Sequence, residues 1–117
     1  MEELMRENGF DVEEIVRMAR ERHASDVHIV CGLPVRIRID GQLTDLDARR
    51  LTAQDCEAAA RALSGNYEEI AQIGEQDFAR TFAGGTRCRI NLFRQQGCVS
   101  AAIRILSDHI PAFEELG

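Results

Sequence analysis

The sequence has no lysine and no tryptophan, one tyrosine and two prolines in 117 residues. All 14 basic residues are arginine. The missing lysine excludes a G-x-x-x-x-G-K-S/T phosphate loop, because that lysine reaches the β- and γ-phosphates. It excludes Schiff-base chemistry and a lysine general base. It also excludes a complete kinase, which needs a strand lysine on the phosphates. Whatever the chain does with nucleotides, it does not do alone.

Other absences narrow the class further. Cys31, Cys56, Cys88 and Cys98 are spaced by 25, 32 and 10 residues with no C-x-x-C pair. That spacing predicts no zinc site and reduced, mostly buried thiols that pack as small hydrophobes. No segment approaches the ~20 apolar residues of a membrane span. The start, Met1-Glu2-Glu3-Leu4, lacks the basic n-region of a signal peptide. The cytoplasm is the expected location.

What is present suits one soluble globular domain. Hydrophobic residues make up 44% and charged residues 29%, both ordinary for such a chain. The length fits one domain of roughly 100–200 residues. Aromatics are few, so the core must rest on Ile, Leu, Val and Ala. The charge is unevenly spread: 20 acids give a net −6, yet residues 79–104 carry five arginines (Arg80, Arg87, Arg89, Arg94 and Arg104) and no acid. An acid-free arginine stretch in an acidic protein suggests an anion site; solvated strand faces are the alternative.

The hydrophobic pattern predicts the elements. Residues 1–10 read as an arm or a short helix. Asp11 and Glu14 have capping-box spacing ahead of Val12, Ile15, Val16 and Ala19, a helical stripe that should end near His23. Strands follow at 25–32 and 35–40, joined to 42–46 by Asp40-Gly41, a two-residue hairpin signal. Thr52 and Asp55 open a second helix, with Gly65 placed to cap its end. A short third helix spans Tyr67 to Ile73. Three strands complete the chain, at 77–82, 87–93 and 98–106. Period-two alternation puts Arg89 and Arg104 on the side opposite the apolar rows, so an antiparallel pair can bring both to one sheet face. The sum is an α+β domain of about six antiparallel strands with helices packed on one face.

Other polar residues read as structural. Asp26 and His28 have no nucleophile or second ligand at useful spacing, and Asp26 suits a cap or hydrogen bond at the strand entry. Arg36 and Arg38 read as a solvated or interdomain face. Gly41 serves its turn, and Thr52 and Asp55 serve as caps.

Several stretches carry a resemblance together. Ala24-Ser25-Asp26-Val27-His28 resembles "ASDLH"; Arg38-Ile39-Asp40-Gly41-Gln42-Leu43 resembles "R-x-D-G-x-L"; Asp77-Phe78 matches a strand start. Arg87-Cys88-Arg89-Ile90-Asn91-Leu92-Phe93 resembles "RFRVNxF", Ala102-Ile103-Arg104-Ile105 resembles "xxRxIP", and Ile110 to Gly117 resembles "IPTFEELG". In this order, from about residue 10 to 117, the series is similar to the N-terminal domain of secretion and type IV pilus motor ATPases. The Gly32-Leu33-Pro34-Val35 step points to the twitching-motility, or pilus retraction, subgroup. Leu106 departs from the family's proline after the last strand.

The resemblance implies a PAS-like domain over residues 11–108, after the arm at 1–10. It makes 109–117 the start of a linker to a RecA-like ATPase domain that the chain lacks. It implies a hexameric cytoplasmic motor, peripheral to the inner membrane, that hydrolyses ATP with Mg²⁺ to retract pili. Partners would be the chain's own RecA-like domain, neighbouring subunits and the pilus machinery, with no nucleic acid. By motif position, Arg89 and Arg104 contact the nucleotide phosphates, with Arg87 and Arg94 as secondary candidates. The fragment itself is expected to have no ATPase activity, no metal and no bound cofactor. The alternative is a stand-alone PAS-like module that senses a ligand or binds a partner. Nucleic-acid binding is disfavoured by the acidic balance and the lack of an aromatic stacking platform.

Overall fold

The computed structural model describes residues 5–6, 9–95 and 97–106. Two short strands, β1 (Met5–Arg6) and β2 (Gly9–Phe10), pair antiparallel. The described part of the N-terminal arm is thus a small ladder rather than a helix. Next come α1 (Val12–Glu21), β3 (Asp26–Ile29), β4 (Arg36–Ile39) and β5 (Gln42–Asp45). They are followed by α2 (Ala53–Leu63), α3 (Tyr67–Ile73), β6 (Glu75–Thr81), β7 (Arg87–Gln95) and β8 (Cys98–Ile105). Residues 109–117, expected as the start of a linker, lie outside the described residues.

Six strands form one antiparallel sheet in the order β5-β4-β3-β8-β7-β6. The chain therefore leaves one edge at β5 and re-enters at the opposite edge as β6. Helices α2 and α3 carry it across the width of the sheet, which places them over one face. The expected α+β architecture, six antiparallel strands with helices on one face, is what the chain adopts.

Burial follows that geometry. Val27, Ile29, Ile37, Ile90, Leu92 and Ile103 point to the helix side and are almost wholly buried. They meet Ile15 and Val16 of α1, Cys56 of α2 and Ile70 of α3 in one core. Each such aliphatic side chain contributes about 1.5–3 kcal/mol on burial. Of the aromatics, Phe82 is buried, and Tyr67 and Phe78 pack at the core's margin. The other face stays wet, as an antiparallel sheet permits.

The local signals act as expected at most ends. Thr52 Oγ1 accepts from the Asp55 amide at 3.0 Å, and Asp55 Oδ2 accepts from the Thr52 amide at 2.9 Å, a complete capping box. At α1 the Asp11 carboxylate accepts from the Glu14 amide at 3.2 Å. Asp40 (φ 53°) and Gly41 (φ 81°) both take left-handed backbone, the type I′ pattern that matches strand twist. One expectation differs. Ser64 caps α2 in extended backbone and Gly65 keeps an ordinary φ, so the chain turns without a glycine cap there. The left-handed cap belongs to Gly74, at the end of α3.

Candidate anion site on the open face

Strand register builds the open face in rows. One row runs Arg38, Asp26, Arg104, Arg89 and Ala79 across β4, β3, β8, β7 and β6. The next runs Arg36, His28, Ala102, Asn91 and Asp77. Between them lies a groove of about 550 Å³, lined by Asp26, His28, Arg38, Asp77, Arg89 and Arg104 among others. The small Ala102 also lines it.

Arg89 and Arg104 face each other directly across β7 and β8. Like charges opposite one another in a sheet are unfavourable unless something offsets them. Here two carboxylates do so. Arg89 donates to Asp77 from Nε (3.2 Å) and Nη2 (3.4 Å). Arg104 donates from Nε to Asp26 Oδ1 (3.3 Å), and Arg38 Nε lies 3.4 Å from Asp26 Oδ2. The Asp26 side chain is only 13% exposed, whereas that of Arg104 is 72% exposed. His28 sits in the second row with Nε2 buried and without a hydrogen-bond partner among the described residues. Burial lowers its pKa; Asp26 pulls it up and Arg38 pushes it down. The net effect favours the neutral ring.

The five arginines of the acid-free stretch divide between the faces. Arg87 stands on the open face beyond the groove, opposite Thr81. Arg94 is on the helix side, opposite Val99 and beside Tyr67 and Cys98. It is not brought together with Arg89 and Arg104. Arg80 is also on the helix side. Its Nη1 donates to Ala62 O at 2.7 Å at the end of α2, its Nη2 to Glu13 Oε2 at 2.9 Å, and its guanidinium lies 4.5 Å from the Phe82 ring centre. This is a structural clasp between α1, α2 and β6.

No family model matches the chain. It is 31% identical over 109 residues to the Escherichia coli K12 protein YggR, described as uncharacterized. It is 28% identical over 109 residues to the type IV pilus retraction ATPase PilT of Pseudomonas aeruginosa. Each match covers 92% of this chain and 32% of the relative, so the chain spans about a third of their length. A solved structure of the pilus retraction motor PilT with bound ADP superposes with a TM-score of 0.79 at 34% identity, over 92% of this chain and 32% of that one. The chain is thus similar to the N-terminal domain of the secretion ATPase superfamily. Legionella pneumophila ATPase DotB shares the fold at a TM-score of 0.70 and 19% identity, over 81% of this chain and 28% of its own.

The open face has a definite chemical capacity. A guanidinium is always charged and can grip a phosphate through two parallel N–H bonds. Two of them side by side, with a neutral imidazole behind, suit a multiply charged oxyanion. The carboxylates of the groove are already bound to guanidiniums, so the site fits phosphates rather than the cation that accompanies them. Among the described residues no group of three His, Cys, Asp or Glu could hold a metal ion. No helix of the described residues is long and apolar enough to cross a membrane. The sequence reading placed Arg89 and Arg104 on one sheet face, as the register has them; it read Asp26 and His28 as structural and Asp77 only as a strand start. The Ala83-Gly84-Gly85 turn held the signal for Asp77: counting back from it sets Asp77 opposite Asn91, diagonal to Arg89.

Proposed function

We propose that this domain clamps ATP held by a RecA-like domain, with Arg89 and Arg104 approaching its phosphates when the two domains close. The observation that carries this reading is the pair of arginines set opposite each other on a sheet face that no helix of the described residues covers. Asp77 and Asp26 offset the repulsion through exposed ion pairs, which stabilise the isolated domain little, and a phosphate chain would add negative charge between the two guanidiniums. Arginines delivered across a closure stabilise charge on a transferring phosphoryl group. The chain has no lysine, so a P-loop lysine would have to come from the partner domain, to which residues 109–117 would link this one.

The relatives extend the reading. PilT is named as a pilus retraction ATPase, and the superposed PilT structure carries ADP. We infer the same role for the whole protein: a hexameric motor, at the cytoplasmic side of the inner membrane, that retracts type IV pili. Arg87 is a secondary phosphate contact on the same face; Arg94, on the opposite side, fits a contact to a neighbouring domain instead. A stand-alone sensor that binds its ligand internally is less well supported, because Ile15, Ile29, Ile70 and Leu92 fill the interior.

The test is ATP turnover by the full-length protein. Arg89→Ala and Arg104→Ala should each lower it by on the order of 10²-fold or more while far-UV circular dichroism is unchanged. Near-normal turnover in both variants would overturn the reading.

A further inference from the structure

The two groove arginines are held by different edges. Arg89 turns Nε and Nη2 toward Asp77, one to each carboxylate oxygen. That is the two-bond edge by which a guanidinium grips a phosphate. The contact of Arg104 with Asp26 uses Nε alone, which leaves the Nη pair outside it. The carboxylates differ as well. Asp26 is 13% exposed and is shared with Arg38 and with the Ser25 hydroxyl, which donates to it at 3.2 Å. Asp77 is 47% exposed and lies on β6, an edge strand with a neighbour on one side only.

We propose that these two carboxylates act oppositely on the anion site. Asp77 is a built-in competitor: it occupies the gripping edge of Arg89 until a phosphate displaces it. Asp26 is a positioning residue: it aims Arg104 across the groove and leaves the outer nitrogens free for the ligand. This inference rests on the reading of the groove as a phosphate site. Exchange at Arg89 is easy, because an exposed ion pair biases its equilibrium by no more than about fivefold. Asp26, only 13% exposed and shared by two guanidiniums, stays in place when the anion arrives. The groove therefore has one arm already aimed and one arm released by its ligand.

The experiment titrates the 117-residue chain with inorganic tripolyphosphate at pH 7 and low salt, following the arginine Nε–H signals by NMR. Asp77→Asn and Asp26→Asn each remove one negative charge from the same groove, so they control for simple electrostatics. Asp77→Asn should tighten binding about three- to fivefold, on the scale of one exposed ion pair. Asp26→Asn should fail to tighten it. The gain from Asp77→Asn should vanish in an Arg89→Ala background, where a pure charge effect would persist. If Asp26→Asn loses its amide dispersion, Asp26→Glu replaces it, and its longer side chain should weaken binding. Equal tightening by the two Asn variants, or none by Asp77→Asn, overturns the inference while leaving the phosphate site standing. Arg89→Ala and Arg104→Ala chains that bind tripolyphosphate as tightly as the unaltered chain overturn the phosphate reading itself.

Discussion

Arg89 on β7 and Arg104 on β8 stand directly opposite each other on the open face, each tied to a different carboxylate, Asp77 and Asp26. The arrangement costs the fold little, because the repulsion of one pair is offset by two attractions at the surface. Arg89→Thr should therefore change the unfolding free energy by less than about 0.5 kcal/mol, as for a surface site. Urea denaturation checks this. A loss of several kcal/mol would make Arg89 a structural residue rather than a ligand-facing one.

Arg80 belongs to the same arginine-rich stretch and should behave in the opposite way. It satisfies the Ala62 carbonyl at the end of α2 and pairs with Glu13 of α1. Hydrogen bonds to charged groups are worth about 1.5–3 kcal/mol each. Arg80→Ala should thus lower stability by about 2 kcal/mol, and Arg87→Ala, on the open face, by well under 1 kcal/mol. Paired urea curves separate the two; equal effects would remove the clasp.

The capping box of α2 gives a third measurement. Thr52→Ala deletes the acceptor for the Asp55 amide and should cost about 1 kcal/mol. Asp55→Ala should cost more, because the same carboxylate also takes two bonds from Arg49 Nη2 at 3.0 Å. A Thr52→Ala chain as stable as the parent would show that α2 is held by packing alone.

Thiol ionisation sets a pH dependence. Burial pushes the Cys56 thiol up to about 12 and the Cys88 thiol up to about 11, from an ordinary 9.0. Above pH 9.0 the unfolded chain releases these protons while the folded chain keeps them, so stability falls as pH rises. The fall continues until pH passes about 11 for Cys88 and about 12 for Cys56. Below pH 9.0 the two thiols leave stability unchanged. Denaturation midpoints between pH 8 and 10.5 should drop, and Cys88→Ala should drop less steeply. A parallel slope in that variant would assign the effect elsewhere.

The legible part of the fold was the part written in short-range pattern. Val27 and Ile29, or Ile90 and Leu92, alternate with polar residues, and that alternation marks both the strand and the face it buries. Asp40-Gly41 marks its turn because both residues must take left-handed backbone. Gly65 misled because a glycine after a helix suits a left-handed cap without requiring one; the chain here leaves α2 in extended backbone at Ser64. The ladder of Met5–Arg6 and Gly9–Phe10 was missed because two-residue strands have no period to read.

For the site, the sequence alone determined that Arg89 and Arg104 share a face. They lie on consecutive strands joined by a short turn, where parity and turn length set the register. It also determined, by the missing lysine, that this chain holds no G-x-x-x-x-G-K-S/T phosphate loop. Only the tertiary structure decided that Asp26 lies beside Arg104, 78 residues away. The pairing of β3 with β8 depends on α2 and α3 carrying the chain across the sheet to its far edge, so that the returning strands close against β3. No local pattern encodes that closure, because its energy comes from burying one whole face of the sheet at once.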